Sequence, residues 1–321
     1  MHSFVDLSDK FENHFNKRHF PNDPSTLYDA AQYILRIGGK RIRPVSVLMA
    51  CELFSDIPED AYHLSTAIEL FHNFSLIHDD IMDKAPLRRG METVHTKFGE
   101  STALLAGDVM LIAAYEQINK IDSSKLKDVI ALFNKTSKEV CEGQQLDMDF
   151  EKKSSVTFEA YLEMITLKTS VLLAASFQMG AIIGGAGLGN QEHLYQFGKN
   201  LGIAFQVQDD YLDAFGDPEK FGKQIGGDIL ANKKTFLLIH ALSVANKDQK
   251  KELEDLMSDN SENKVERVLR IFSDCKVAEW ATEIKEKYFS IAMNHLDATA
   301  VSNNRKEELE KLAKYLLQRE S

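Results

Sequence analysis

Apolar residues recur at helical spacing along most of the chain, most clearly in Ala61–Ile77, Ser101–Ile118, Phe158–Ile183 and Tyr195–Phe215. Alternating strand-like runs bounded by turn dipeptides are missing. All six prolines fall at turn-like places, which leaves long stretches suited to uninterrupted helices. The pattern predicts an all-α protein with roughly ten or more helices. Because no linker marks a domain boundary, we expect a single domain over residues 1–321.

Three segments have a composition that fits more than one kind of structure. Val171–Leu188 is apolar enough to suggest a transmembrane helix, but it contains Ser176 and Gln178 and ends in a glycine-rich stretch. We therefore expect a buried helix here and no transmembrane segment. Gly184–Asn190 follows a helix instead of a strand, so it predicts a helix–helix turn and not a phosphate-binding loop. Asn303–Arg319 alternates charges on an amphipathic pattern and predicts a terminal helix with a solvated face.

Composition narrows the class of protein. The chain has 321 residues, of which 44% are hydrophobic and 27% charged, enough to bury a large core. Its net charge of −11 argues against binding to nucleic acid or to anionic lipid. The three cysteines are scattered singly, which fits a reducing cytoplasm and neither a disulfide framework nor a cysteine-based zinc site. The N-terminus shows no secretory signal, so we expect a cytoplasmic protein.

Two aspartate clusters of the same shape are the strongest chemical signal. They read Asp79-Asp80-Ile-Met-Asp83 and Asp209-Asp210-Tyr-Leu-Asp213. On a helix, the first and last acid of each cluster stand one above the other on one face, so each cluster projects a column of carboxylates. Such columns call for a divalent counter-ion, and Mg²⁺ prefers one or two carboxylates plus phosphate oxygens. Two columns facing each other would grip a diphosphate through bridging metals.

Cations accompany the first acidic cluster. In Gly38-Gly39-Lys40-Arg41-Ile42-Arg43-Pro44, Lys40 and Arg43 are spaced to reach one anion together, although a solvated turn is the alternative. Beyond the cluster, Pro86 and Gly90 end the helix, so Arg88 and Arg89 are expected in a loop next to the metal column. A salt-bridge cluster with the aspartates is the alternative there.

Further polar residues lie on apolar helices or in glycine-rich loops. Lys168-Thr169 sits inside an apolar helix, where a lysine is costly unless it is paired or lines a polar cavity. Gln144 and Asp147 form a polar i, i+3 pair on another helix. Lys223, Asp228 and Lys233 follow the second acidic cluster, in a loop that glycines would allow to fold over a ligand.

In combination these motifs resemble the trans-isoprenyl diphosphate synthases of the polyprenyl synthetase family. The match runs from about Gly38 to Lys233. It is carried by Gly-Gly-Lys-Arg-Ile-Arg-Pro, His78-Asp-Asp-Ile-Met-Asp83 with Arg88-Arg89-Gly90, Lys168-Thr169, Phe205-Gln206-Val-Gln-Asp209-Asp-Tyr-Leu-Asp213 and Gly227-Asp228-Ile. The resemblance implies an all-α isoprenoid synthase fold, a single helical bundle around a deep central cavity, and a homodimer.

The resemblance also implies a role for each matching residue. Asp79 and Asp83 would bind two Mg²⁺ ions and Asp209 a third, with support from Asp80, Asp210 and Asp213. Arg88, Lys168, Lys223 and Lys233 would hold the allylic diphosphate. Lys40, Arg43, His72 and Arg89 would form a metal-free pocket for isopentenyl diphosphate. Gln144, Thr169 and Gln206 would surround the reacting carbons. The catalytic group would comprise Lys168, Thr169, Gln206 and Arg88.

The implied reaction is a 1'–4 head-to-tail condensation of isopentenyl diphosphate with an allylic diphosphate, releasing pyrophosphate. Product length depends on the floor of the tail pocket, for which the resemblance points to Phe74, with Ser75 beside it and Phe71 one turn below. A bulky ring at the floor favours C15 or C20 products. The first acidic motif lacks the two extra residues of many bacterial farnesyl synthases, which favours C20.

Three other classes of protein are alternatives. A non-catalytic regulatory subunit would keep the fold and bind a partner synthase, but such subunits usually lose the acidic motifs, and both motifs are intact here. Glu69-x-x-His72 and Glu92-x-x-His95 have the spacing of di-metal carboxylate bundles, although that interpretation leaves both aspartate clusters unexplained. A class I terpene cyclase would ionise the same substrates, but it would not need the duplicated aspartate motif or the Lys40 and Arg43 pocket.

Overall fold

The computed structural model describes residues 1–153, 155–216, 225–257 and 263–317. The first half of the chain forms α1 (Phe4–Phe15), α2 (Ser25–Arg36), α3 (Ile42–Glu52), α4 (Glu59–Met82), β1 (Leu87–Arg88), β2 (Met91–Glu92), α5 (Val94–Phe98), α6 (Glu100–Ile118) and α7 (Ser123–Lys152). It continues with α8 (Phe158–Ile165), a π-helical segment (Thr166–Ser170), α9 (Val171–Ile183) and α10 (Leu188–Phe215). The last helices are α11 (Gly227–Leu230), α12 (Phe236–Val244), α13 (Lys247–Leu256), α14 (Lys264–Asp274), α15 (Val277–Ala298) and α16 (Asn303–Leu317).

These elements confirm the all-α prediction. Helix α6 matches its predicted bounds to within a residue, and α4 and α10 extend beyond the predicted segments. The predicted turn at Gly184–Asn190 is shorter than expected, because α10 already begins at Leu188. The charged terminal segment forms α16 as expected, up to Leu317.

Polar caps fix where several helices begin. The hydroxyl of Ser3 accepts a hydrogen bond from the Asp6 N–H in a capping box at the start of α1. Asn246 caps α13 in the same way. Thr157 caps α8 by accepting from the Ala160 N–H at 3.2 Å, which fixes the start of the helix that leads into the π-helical segment with Lys168.

The contacts within the chain divide it into two compact units. The first unit contains residues 1–135, 175–195 and 300–308, and the second contains residues 136–174, 196–299 and 309–321. Each acidic motif belongs to a different unit. A single domain for the whole chain stays a prediction.

In the first unit, α4 packs against α6 through small residues. Gly107 on α6 lies so close to α4 that a Cβ there would stand 2.3 Å from the His78 Nε2 atom. Gly180 on α9 plays a similar part against α3, where a Cβ would meet the Val47 carbonyl oxygen at 2.2 Å. Close helix approach of this kind fixes the position of α4, whose C-terminal end carries the first acidic motif.

The second unit has its own hydrophobic core. Buried side chains from α8, α10, α12, α14 and α15 meet there, including Tyr161, Val207, Phe236 and Phe272. Trp280 packs edge-on against Phe158, with ring centroids 5.2 Å apart. This core supports the C-terminal half of α10, which carries the second acidic motif.

The helical stretch Phe158–Ile183 is apolar and long enough to cross a membrane by length and composition alone. However, 72% of its most apolar window is buried inside the protein. A core helix of a globular protein passes the same test, so this observation agrees with the expected buried helix.

Candidate functional site

Helix α4 presents the first acidic motif at its C-terminal end. The N–H of Asp83 donates to the Asp79 carbonyl at 2.9 Å, so the helical register persists to Asp83 and stacks these two acids on one face. Asp83 is exposed and Asp79 half-buried, while Asp80 is buried with 3% of its side chain accessible. The expected carboxylate column is therefore present for the first and last acids, and the middle acid points inward.

Asp80 is occupied by Arg88. The Arg88 Nε lies 3.0 and 2.9 Å from the two carboxylate oxygens of Asp80, and Nη2 donates to Oδ1 at 2.7 Å. Nη2 also lies 3.7 Å from Asp79 Oδ2. Burial alone would lower the pKa of the Arg88 guanidinium, but the hydrogen bonds and charge of Asp80 raise it above its ordinary value. The salt-bridge cluster is compatible with the predicted phosphate-binding role, because Asp80 orients the Arg88 guanidinium beside Asp79.

The prediction that Arg88 lies in a loop is wrong in detail. Helix α4 ends at Met82, before Pro86, and the chain then forms a hairpin in which Leu87 pairs with Glu92 and Arg88 with Met91. The two turn residues, Arg89 and Gly90, both have positive φ, at 53° and 76°. A two-residue turn of this kind matches the twist of the strands it joins. The hairpin places Arg88 in β1 beside Asp80, and it places Arg89 in the turn, against Gly39.

Arg43, His72 and Arg89, predicted as one anion pocket, lie near one another around the Gly38–Arg43 segment. Arg43 Nη1 is 3.3 Å from His72 Nε2. A Cβ on Gly39 would stand 2.9 Å from Arg89 Nη1, so the Arg89 guanidinium lies against that backbone. Lys40, next to Gly39, is exposed. Burial, then the charges of Arg43 and Arg89, lower the pKa of His72 well below its ordinary value, so a neutral imidazole stands among cations.

Arg41 is a residue that the motif analysis did not single out. It is buried and adopts a left-handed conformation, φ 52°, at the start of α3. Its guanidinium binds Glu69, donates to Glu12 at 2.6 Å and donates to the Leu35 carbonyl at 3.3 Å. This buried ion pair turns the Arg41 side chain into the protein. Its neighbours Lys40 and Arg43 do not take part in the ion pair with Glu69. Adjacency of three cations gave no sign of which one would be buried.

The same contacts remove the basis of the di-metal alternative. Glu69 is committed to Arg41 and to the Asn73 amide, which donates to it at 3.0 Å. Glu92 lies in strand β2 and His95 in α5, so this Glu-x-x-His pair does not share a helix face.

An aromatic stack lies below the first acidic motif. Phe74 is half-buried, and its ring centroid is 5.5 Å from Phe71 and 4.7 Å from His78. The ring of Phe71 packs edge-on against Phe133 of α7, with centroids 5.2 Å apart. Ser75 donates its hydroxyl hydrogen to the His72 carbonyl at 2.8 Å. Beneath the predicted floor residue there is thus a second, fully buried aromatic layer.

In the second unit, Lys168 and Thr169 lie in the π-helical segment between α8 and α9. The N–H of Val171 donates to the Thr166 carbonyl, a five-residue step that widens this turn. Glycines flank it: a Cβ on Gly143 would stand 2.2 Å from the Lys168 N atom, and one on Gly202 would stand 2.9 Å from the Ser170 Cα. The neighbouring helices therefore approach the backbone of this turn directly.

Lys168 is paired, as expected for a lysine on an apolar helix. Its ammonium group donates to Asp147 Oδ2 at 2.6 Å. Gln144, the other member of the predicted polar pair, has a buried Nε2 that makes no hydrogen bond within the described part of the chain. A buried amide donor in this position suits a polar ligand.

Four side chains around the second acidic motif form a hydrogen-bonded chain. Thr169 Oγ1 donates to Gln206 Oε1 at 3.4 Å, and Gln206 Nε2 donates to Asp210 Oδ1 at 2.9 Å. The hydroxyl of Tyr161 donates to Asp210 Oδ2 at 2.5 Å. Burial and then the charge of Asp228 raise the pKa of Asp210 to about 8, and the hydrogen bonds from Tyr161 and Gln206 oppose that rise. Tyr161, like Arg41, was not anticipated from the motifs.

Asp213 binds the start of α11. Its Oδ2 accepts a hydrogen bond from the Asp228 N–H at 3.0 Å, at the start of α11. Lys233 lies 3.6 Å from the Asp228 carboxylate. Lys223 lies outside the described residues.

A cavity of about 160 Å³ in this unit is lined by Tyr161, Lys168, Thr169, Gln206, Asp228 and Lys233, among others.

The carboxylate oxygens of the two acidic motifs are suitable ligands for Mg²⁺. Among the described residues, no group of three or more histidine, cysteine or acidic side chains converges into a ready-made metal cage. Half-buried Asp79 and Asp209 and exposed Asp83 nevertheless offer hard oxygen donors at helix surfaces. Mg²⁺ typically takes one or two carboxylates and completes its shell with water and phosphate oxygens. Such an arrangement suits binding of the metal together with a diphosphate.

Comparisons with known proteins cover nearly the whole chain. A family model described as Polyprenyl synthetase matches residues 24–275. A short chain isoprenyl diphosphate synthase of Methanothermobacter thermautotrophicus is 39% identical over 298 residues, covering 92% of this chain and 91% of the relative. A geranylgeranyl diphosphate synthase of Saccharolobus solfataricus is 38% identical, covering 92% and 90%. A crystal structure of a geranylgeranyl pyrophosphate synthase superposes with a TM-score of 0.95 at 42% identity over 100% of both chains.

Proposed function

This chain belongs to the polyprenyl synthetase family, and we propose that it condenses isopentenyl diphosphate head to tail with an allylic diphosphate to give a short all-trans prenyl diphosphate. The observation that carries the proposal is the pair of acidic motifs, each beside a buried or half-buried cation. Asp79 and Asp83 lie next to Arg88, and the helix of Asp209 lies next to the Lys168 and Thr169 turn. Relatives named as geranylgeranyl and short-chain synthases support it over nearly their whole length.

In this proposal Asp79, Asp83 and Asp209 hold Mg²⁺, and Asp80, Asp210 and Asp213 support them. Mg²⁺ bound there would stabilise negative charge on the leaving pyrophosphate. Arg88 binds the same diphosphate through the edge of its guanidinium not used by Asp80. Lys168, Lys223 and Lys233 add positive charge. These groups turn an acidic protein into a receptor for an anionic substrate.

Isopentenyl diphosphate binds to Lys40, Arg43, His72 and Arg89 without a metal. A neutral His72 can donate or accept one hydrogen bond and adds no charge to an already cationic pocket. Arg41 and Glu69 hold the polypeptide that carries these groups.

Thr169 and Gln206 act on the carbon skeleton. When the allylic C–O bond breaks, positive charge develops on the allylic carbons, and the oxygen atoms of Thr169 and Gln206 offer partial negative charge to it. Gln144 is the third polar residue proposed to surround the reacting carbons. The π-bond of isopentenyl diphosphate then attacks the allylic carbon, a proton leaves, and the released pyrophosphate is its proposed acceptor.

A C20 product is favoured and C15 is possible. Phe74 is proposed as the floor of the tail pocket, with Ser75 beside it and Phe71 behind it. Its position above the Phe71 and Phe133 rings supports a barrier with two layers.

We further propose that the protein is a cytoplasmic homodimer. Helix α6 supports the dimer because it carries an exposed apolar face: Leu105 is 55% exposed and Ile112 58%, with Leu104 and Tyr115 on the same side. Large apolar side chains exposed together on one helix face are typical of a protein interface. The cysteines Cys51, Cys141 and Cys275 are free thiols, in keeping with a reducing compartment.

The test is to incubate the purified protein with Mg²⁺, radiolabelled isopentenyl diphosphate and C5, C10 or C15 allylic primers. The expected result is label in a C20 alcohol after dephosphorylation. Asp79→Ala and Asp209→Ala should each lower turnover by orders of magnitude while the circular dichroism spectrum stays helical. A cyclase would consume the allylic primer without incorporating label, and that result would reject the proposed reaction.

A further inference from the structure

We propose that Tyr161 is a positioning residue for this reaction: through Asp210 it fixes which end of the Gln206 amide faces the reacting carbons. The inference rests on the proposed condensation and adds a residue outside the acidic and basic motifs. Its basis is the geometry of four side chains within one compact unit.

Asp210 has no spare oxygen. It is buried at 5% exposure, its Oδ2 accepts from the Tyr161 hydroxyl at 2.5 Å, and its Oδ1 accepts from Gln206 Nε2 at 2.9 Å. Rotation of the carboxylate would break both bonds. Tyr161 therefore locks Asp210 in the orientation that meets Gln206.

The partner on Asp210 decides how the Gln206 amide is turned. Asp210 Oδ1 accepts the hydrogen bond from Gln206 Nε2, so the NH₂ end of the Gln206 amide faces Asp210 and its oxygen points away. That oxygen accepts from Thr169 Oγ1 at 3.4 Å. Both of these groups lie in the wall of the cavity that Lys168 also lines.

The orientation of this amide matters because its two ends carry opposite partial charges. With oxygen directed to the cavity, Gln206 and Thr169 present electronegative atoms to a developing allylic cation. A flipped amide would present N–H groups instead and would oppose that charge. Without the Tyr161 hydroxyl, Asp210 loses the hydrogen bond to Oδ2 and can turn away from Gln206, so the amide is no longer held with its oxygen toward the cavity.

Tyr161 also fills space, and that role must be separated from its hydrogen bond. Its ring belongs to the hydrophobic core and lies 6.1 Å from the Phe236 ring. Tyr161→Phe keeps the ring and removes only the hydroxyl. A matched control is Tyr288→Phe, since Tyr288 is another partly buried tyrosine at the edge of the same core.

The experiment is a double-mutant cycle on steady-state condensation with Tyr161→Phe and Gln206→Met. Tyr161→Phe alone should lower kcat about tenfold, as expected for the loss of one buried hydrogen bond. The KM for each diphosphate should stay within about twofold, because the diphosphate-binding cations are unchanged. In the Gln206→Met background the same substitution should alter kcat by less than about twofold. Tyr288→Phe should behave as wild type.

An equal loss of kcat in both backgrounds would show that Tyr161 does not act through Gln206, and so would a change confined to KM. Thermal unfolding of each variant identifies any loss of fold. If Tyr161→Phe does not fold, Asp210→Asn serves instead, because it replaces one of the two oxygens that accept from Tyr161 and Gln206 with an NH₂ group, so one of these hydrogen bonds is lost or reversed. Asp210→Asn should lower kcat at least as much, and again only when Gln206 is present. Failure of the condensation itself would appear in the wild type, before any variant is compared.

Discussion

Asp80 and Arg88 form a three-contact ion pair, in which the guanidinium Nε lies within 3.0 Å of both carboxylate oxygens and Nη2 donates at 2.7 Å. The acid is buried and the arginine is 23% exposed. The middle acid of the second motif, Asp210, is likewise turned inward and occupied by two donors. In each motif, one aspartate orders a neighbouring side chain of the proposed site.

We expect Asp80→Asn to misplace Arg88. The amide keeps the shape but places an NH₂ group against the guanidinium, so the variant should lose about 1.5–3 kcal/mol of stability. It should also raise the KM for the allylic diphosphate, because Arg88 is no longer held beside Asp79. Chemical denaturation and steady-state kinetics measure the two effects. As a control, Glu310→Gln disrupts the exposed Glu310–Lys314 pair, 3.9 Å apart, and should leave both unchanged. Normal kinetics of Asp80→Asn would show that Arg88 does not need this anchor.

The two-layer aromatic stack predicts how product length responds to substitution. Phe74→Ala should lengthen the product, because it opens the proposed floor. The elongation should be limited to one or two C5 units, since the buried Phe71 and Phe133 rings remain below. Sizing the dephosphorylated products by chromatography measures this. Leu76→Ala, on another face of α4, should leave the distribution unchanged. An unchanged distribution for Phe74→Ala would remove this residue from the tail pocket.

Gly143 should be intolerant of any side chain. A Cβ there would lie 2.2 Å from the Lys168 backbone nitrogen, so Gly143→Ala must push α7 away from the π-helical turn. Overpacking of this kind costs about 1–3 kcal/mol. The displaced Lys168 and Thr169 should also lower kcat. Gly189→Ala, whose Cβ would meet nothing within 4 Å, is the matched control and should be neutral or slightly stabilising. Equal stability of the two variants would contradict the close approach.

His72 should make stability depend on pH. Burial and the nearby Arg43 and Arg89 charges lower its pKa in the folded protein, whereas the unfolded chain takes up a proton near pH 6.5. Below that pH the unfolded state binds the extra proton, so stability falls as pH falls, by up to about 1.4 kcal/mol per pH unit. Between pH ~7.5 and ~5.5, the Tm of the wild type should drop more than that of His72→Gln. His95→Gln is the control. Parallel curves for the wild type and His72→Gln would refute the neutral histidine.

Much of the fold could be predicted because helical periodicity is explicit in this sequence. The bounds of α6 follow from its apolar spacing, and the buried character of Phe158–Ile183 follows from its composition. The hairpin at Leu87–Glu92 could not be predicted, since two-residue strands show no alternation and Arg89 is not a typical residue for a left-handed turn. The π-helical segment could not be predicted from the sequence either, because its wider turn depends on how the neighbouring helices pack.

The candidate site was predicted in kind but not in detail. The spacing of Lys40 and Arg43 identified two cations of the proposed pocket, yet nothing in the spacing showed that Arg41 between them would be buried against Glu69. The spacing of the acidic motifs alone does not rank the six carboxylates, and only the family resemblance assigned Asp80, Asp210 and Asp213 a supporting role. Burial separates them: Asp80 and Asp210 are enclosed, whereas Asp83 is exposed. Such distinctions depend on tertiary neighbours such as Tyr161, which is far from Asp210 in sequence.

The wide turn at Thr166–Ser170 absorbs one residue more than an α-helical turn, which keeps the flanking α8 and α9 in phase. Wound as a plain α-helix, the same residues would rotate everything after the turn by roughly 100° about the helix axis and change which side chains of the buried α9 face each neighbouring helix. Shortening this turn by one residue would restore ordinary winding without that rotation. A one-residue deletion in this turn should therefore keep α8 and α9 in phase while removing the wide turn that carries Lys168 and Thr169.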